Sequence, residues 1–169
     1  MATIEVTTIT LGFLNLTKEG KVIASDPCYD PDIWCNHEVE VRKGEYIAKA
    51  VYGEVPGWGV RVVELTINNI HTPKKKATKV IGHCCVDSGQ CGFFEASDYR
   101  ENHTKQETPK SEEWYNRACE ITLDDDNHHC GMMGETGAVS ESGLGDGCYN
   151  LYAGYDNRGQ ITALRLRFI

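Results

Sequence analysis

Short runs of apolar and β-branched residues recur along the chain, punctuated by Gly, Pro, Asn and Asp. Val39 and Val41 alternate with Glu38, Glu40 and Arg42, and Leu164, Leu166 and Phe168 alternate with Arg165 and Arg167. A period of two with one polar side is the signature of a strand with one wet face. The pattern predicts strands near 3–11, 20–25, 37–43, 45–53, 59–68, 78–86, 137–142, 147–155 and 160–168. "YDNRGQ", between the last two, has the Asp/Asn/Gly chemistry of a tight hairpin.

The period changes once. "TPKSEEWYNRACEI", 108–121, offers Thr108 or Ser111 as an N-cap, acids in its first turn, and Trp114, Ala118 and Ile121 as an apolar stripe. It predicts one helix near 110–121. The polar stretch before it, 97–110, reads as a surface excursion. The expected fold is mainly β (β-rich α+β), an antiparallel sandwich or barrel-like sheet carrying one helix, as a single domain over 1–169.

Composition changes little: 169 residues, 40% hydrophobic and 25% charged, suit an ordinary globular chain. The formal charge of −8 argues against broad nucleic-acid binding. The run Lys74, Lys75 and Lys76 reads as a solvated loop that leaves room for a local basic patch. No stretch approaches the roughly 18 apolar residues of a membrane span. "MATIEVTTIT" has neither a basic nor an apolar leader region. A cytoplasmic location follows as the expectation, with the eight cysteines reduced. Adjacent Cys84 and Cys85 also fit a bridge framework poorly, and the sequons at Asn15 and Asn102 are expected to carry nothing.

Three places combine turn residues with reactive side chains at the edge of a β run: Asp26-Pro27-Cys28-Tyr29, Asp87-Ser88-Gly89-Gln90, and Gly145-Asp146-Gly147 with Tyr149. Gathered at one end of a β scaffold, they would offer carboxylates, hydroxyls, an amide and close-approach backbone to a polar small molecule. The plainer reading is turn chemistry, in which Asp and Ser bond their own backbone and Gly supplies positive φ.

Metal binding is weakly signalled. Cys28, Cys35 and His37; His83, Cys84, Cys85 and Cys91; and His128, His129 and Cys130 all lack paired zinc spacing; a zinc site assembled from distant clusters is the alternative to reading most of the thiols as small apolar core groups. "DDDNHHCGMMGE" puts His129 where a calcium loop requires glycine. Phosphate-cradle motifs are absent, so no cofactor is expected. Cys28 is the strongest candidate nucleophile, with His37 or His83 as conceivable bases. Asp26 and Asp30 beside it would raise its pKa, however, which favours a packed thiol.

The three segments, with the closing "GDGCYNLYAGYDNRGQITALRLRF", resemble a family of small phage and bacterial proteins of unknown function. That family carries Asp-Pro-Cys-Tyr, Val-Asp-Ser/Ala-Gly and Gly-Asp-Gly-x-Tyr. The matching residues are Asp26 to Tyr29, Val86 to Gly89, and Gly145 to Gly147 with Tyr149. The resemblance brings no established activity. It suggests the setting of phage counter-defence, where compact, usually oligomeric sponges hold immune nucleotide signals without cutting them. The expected function is a non-catalytic, homo-oligomeric binder of a nucleotide-like ligand through Asp26, Tyr29, Asp87, Ser88, Gly89, Gln90, Gly145, Asp146, Gly147 and Tyr149. Its cations would come from Arg61, Arg165, Arg167 or the Lys74–Lys76 loop. Two alternatives remain: a small cysteine-dependent hydrolase or transferase, and a protein–protein inhibitor with an acidic face.

Overall fold

The computed structural model describes residues 3–73, 75–100 and 108–169. Lys74 and the Asn102 sequon lie outside the described residues. The elements are β1 (Val6–Leu16), β2 (Lys21–Ser25), β3 (His37–Glu40), β4 (Gly44–Val55), β5 (Gly59–Asn69), β6 (Lys79–Val86), β7 (Gln90–Glu95), α1 (Pro109–Thr122), β8 (Cys130–Met133), β9 (Gly137–Glu141), β10 (Gly147–Tyr155) and β11 (Ile161–Arg167). They form two antiparallel sheets, a six-stranded one ordered β1-β4-β5-β11-β10-β6 and a five-stranded one ordered β3-β2-β7-β9-β8. Both sheets are open, so the fold is a sandwich-like pair and not a barrel.

Alternation places the core. Tyr46, Ala48 and Ala50 on β4 are fully buried, as are Leu164 and Leu166 on β11. They join Val22, Ala24, Phe93 and Ala138 of the other sheet in one apolar cluster. The β10–β11 hairpin forms where "YDNRGQ" predicts it. Asp156 Oδ1 accepts from the N–H groups of Arg158 and Gln160, at 2.9 Å each. Those donors, Gln160 first, hold its carboxyl below the usual range, with Arg42 adding to the effect.

The helix obeys its sequence signals. Thr108 accepts from Ser111 N–H, the Ser111 hydroxyl accepts from Thr108 N–H, and Pro109 opens the first turn. Trp114, Ala118 and Ile121 pack on a second apolar cluster with Ile23, Phe94, Tyr99 and Val139, against the outer side of the five-stranded sheet. β7 escaped the alternation rule for that reason. Covered on both sides, all six of its residues are buried, and it shows no period of two. β8 is only four residues long and gives too little sequence to show a pattern.

Two expectations need correction. The first concerns the thiols. Cys85 and Cys148 form a disulfide. β6 and β10 pair with these residues directly opposite, and their Cα atoms stand 4.0 Å apart. Adjacent Cys84 is no obstacle, because the pleat sends it to the other face. There it is buried and its thiol donates to Ala24 O. The second concerns the stretch 97–110. It begins in the core, with Tyr99 fully buried and Arg100 nearly so; residues 101–107 lie outside the described set.

Candidate functional site

The β2 exit, "SDPCYD", meets the β6–β7 turn at a single carboxylate. Asp26 is fully buried. Its Oδ1 accepts from Cys28 N–H at 2.8 Å and from the Ser88 hydroxyl at 2.6 Å. Its Oδ2 accepts from the N–H groups of Asp87 and Ser88, at 2.9 and 2.7 Å. Backbone and hydroxyl donors thus saturate the group and bind two distant turns into a knot. The buried Tyr99 hydroxyl donates to Tyr29 O at 2.7 Å, and Arg100 Nη1 donates to Cys28 O at 3.0 Å. Contrary to the expectation, Asp26 therefore lies inside the knot and lines no cavity beside it, because protein donors already occupy both of its oxygens.

The second turn is tied to the third. Ser142 N–H donates to Gly89 O at 2.9 Å, Val86 pairs with Gly147, and the Cys85–Cys148 bridge lies one residue away. The three motifs predicted from sequence thus meet at one end of the molecule.

A cavity of about 500 Å³ opens beside the knot. Ser88, Gly89 and Gln90 form one wall, and Gly143, Leu144 and Gly145 form another. Tyr115, Cys119 and Thr122 approach from α1 with Leu123 just beyond it, Trp58 and Arg61 come from the β4–β5 hairpin, and Glu141 and His129 complete the lining. Gln90 is held rigidly: its Oε1 accepts from Thr122 Oγ1, and its Nε2 donates to Ser88 Oγ and to Cys119 Sγ. Gly89 (φ +71) and Gly145 (φ +107) have backbones only glycine adopts easily, and open space lies where a Cβ would project. Both therefore present bare backbone to the cavity. Trp58 is half exposed on the hairpin tip Pro56-Gly57-Trp58. Glu141 Oε1 accepts from Val62 N–H at 2.9 Å, and His129 Nδ1 donates to Thr122 O at 3.0 Å.

Of the predicted site residues, Ser88, Gly89, Gln90 and Gly145 line this cavity. Asp26, Tyr29, Asp87, Asp146, Gly147 and Tyr149 do not. Asp87, Asp146 and Gly147 are exposed outside it. Tyr29 sits against Asp87 and Cys35; burial first, then the Asp87 charge, pushes its phenol to about 12. Tyr149 packs edge-on against Phe168 and donates its hydroxyl to Gly145 O, bracing the loop instead of stacking on a ligand. Burial raises its pKa. Sequence reasoning had named Arg61 among possible cations. It missed Trp58, Tyr115, His129 and Leu144. For Trp58 a signal existed: an indole between two glycines at a hairpin tip has no packing reason to be there.

Cys28 is half-buried at the edge of the knot. Burial, then the Asp26 carboxylate, pushes its thiol to about 12. It stays protonated at neutral pH, and a protonated thiol is a poor nucleophile. Among the described residues no group of three or more His, Cys, Asp or Glu side chains is placed to hold a metal ion. Among the same residues, no helix is long and apolar enough to cross a membrane.

These features define a mainly β protein with a knot of three turns beside a mixed polar and aromatic cavity. Residues 81–166, from β6 into β11, match the family model DUF4241, described as a protein of unknown function, and the chain belongs to that family. The matched span holds the motifs at Val86–Gly89 and Gly145–Tyr149, while Asp26–Tyr29 lies before it. No curated protein and no solved structure matches the chain.

Proposed function

We propose that the chain is a non-catalytic binding protein for a nucleotide-like small molecule, held in the cavity beside the Asp26 knot. The observation that carries this reading is the convergence of the 88–90 and 143–145 turns on one cavity of about 500 Å³ with Trp58, Tyr115 and Arg61. That volume falls within the roughly 300–1,000 Å³ of small-molecule sites. Trp58 and Tyr115 supply aromatic surface for a base, Arg61 supplies a charge for a phosphate, and Gly89 and Gly145 allow close backbone approach. The protonated Cys28 thiol supports binding without turnover. The biological setting proposed is sequestration of an immune nucleotide by a phage-encoded, homo-oligomeric sponge.

A thermal-shift screen of cyclic and ADP-ribose-type nucleotides tests the reading. It expects stabilisation by one class, and recovery of that nucleotide chemically unchanged after denaturation. Absence of any shift across the screen, or recovery of a cleaved product, overturns it.

A further inference from the structure

We infer that the outer face of the six-stranded sheet carries a second, separate site for an oligophosphate group. The β-ladder register sets Lys49, Thr66, Arg165 and Tyr152 in one row across β4, β5, β11 and β10. Residues 75–78 fold back over the end of this row as a strap. Thr78 N–H donates to Ala153 O, Ala77 is buried, and Lys76 O lies 3.0 Å from where a Cβ on Gly154 would stand. Between strap and sheet lies a cavity of about 270 Å³, lined by Lys49, Thr66, Asn68, Lys75, Lys76 and Arg165 among others.

The charge there is unbalanced. Arg165 Nη1 pairs with Glu64 at 3.1 Å, and its guanidinium lies over the Tyr152 ring at 4.3 Å. Lys49, Lys75 and Lys76 make no ion pair among the described residues, so four cations face one carboxylate. A neighbouring cavity of about 170 Å³ shares Lys75 and adds Arg42, His71 and Arg158 against Asp156. In a chain of net charge −8 this is a local reversal of sign. A second observation is independent of charge: Arg165 Nε is buried and has no hydrogen-bond partner among the described residues. A buried donor without an acceptor is left uncompensated, and an anionic oxygen held against the guanidinium meets it once the side chain turns toward the cavity. The planar guanidinium fits phosphate oxygens, and the lysines add point charges from the strap. The volume suits a short phosphate chain better than a whole nucleotide.

Titration calorimetry with inorganic tripolyphosphate at 150 mM salt, paired with the NMR signal of the Arg165 Nε–H, tests the site. Saturable binding at one equivalent and movement of that signal are expected. The exposed pair Lys75→Ala/Lys76→Ala should weaken binding at least tenfold while the melting temperature holds, and Lys110→Ala on α1 should leave it unchanged. The double variant Trp58→Ala/Arg61→Ala should also bind tripolyphosphate normally, which separates this site from the cavity beside the knot. The inference fails if no saturable binding occurs, if the strap variant binds as the wild type does, or if binding disappears with Trp58 and Arg61 instead.

Discussion

The knot around Asp26 and the cavity beside it share a turn yet are built on opposite terms. In the knot a fully buried carboxylate meets backbone and hydroxyl donors with no capacity left over. In the cavity, Trp58 stands half exposed and Gly89 and Gly145 leave bare backbone. Side chains that look most reactive in the sequence are the ones whose chemistry is spent on structure. A carboxylate, a thiol and a phenol at a strand exit are as much the means of fixing two loops as of binding a ligand.

The contrast breaks most visibly at Asp26. Asp26→Ala strands buried donors in both turns and should cost about 4 kcal/mol or more. In a chain of this size that is a fall in melting temperature of roughly 10 °C or more, read by calorimetry. A drop of under about 2 °C would mean that the knot holds nothing. The second largest effect belongs to the Cys85–Cys148 bridge, which closes a separation of 63 residues between the strands carrying two of the three motifs. Cys85→Ser/Cys148→Ser should cost about 2–4 kcal/mol, measured by urea denaturation.

On the cavity side the expectation reverses. Trp58→Ala and Arg61→Ala should each alter stability by no more than about 0.5 kcal/mol, because neither anchors the core. Each should weaken nucleotide binding by about tenfold or more, as loss of a stacking face or a charge-assisted hydrogen bond does. A variant that melts early and binds normally would exchange the roles of the two regions.

The smallest effect sharpens the contrast with a second buried carboxyl. Glu95 Oε1 accepts only from Glu19 N–H, at 3.0 Å, and Oε2 has no partner among the described residues. Burial, its main cause, raises this pKa. The native state therefore holds the proton more tightly than the unfolded chain. Its stabilising effect is fully present below the unfolded pKa and is lost as pH rises through the folded one. Glu95→Gln should raise the melting temperature at pH 7 by a degree or two, roughly, and leave it unchanged near pH 3.5. An equal gain at both values would refute the titration account.

Much of this architecture was legible in the sequence. Recurring apolar runs located nine strands, and the helix expected near 110–121 runs Pro109–Thr122, capped by Thr108, one of the two N-cap candidates. β7 was missed because burial on both sides erases alternation. The disulfide was missed because strand register, not spacing, brings Cys85 and Cys148 together. At the site, the turns 87–90 and 145–147 were readable from glycines beside polar residues, and of these Ser88, Gly89, Gln90 and Gly145 line the cavity. Asp26 was misread because composition cannot show whether a carboxylate's donors come from the protein or from a ligand. Tyr115 and His129 carry no local signal, since only the docking of α1 and the β8–β9 hairpin brings them near.

Native mass spectrometry of the intact protein with the nucleotide selected by thermal shift tests the binding claim most directly. Wild type should hold one nucleotide per chain, and so should Asp87→Asn/Asp146→Asn, whose exposed carboxylates lie outside the cavity. Trp58→Ala/Arg61→Ala should hold none. Adducts that survive in the last variant, or vanish only when Asp87 and Asp146 are changed, would contradict the account.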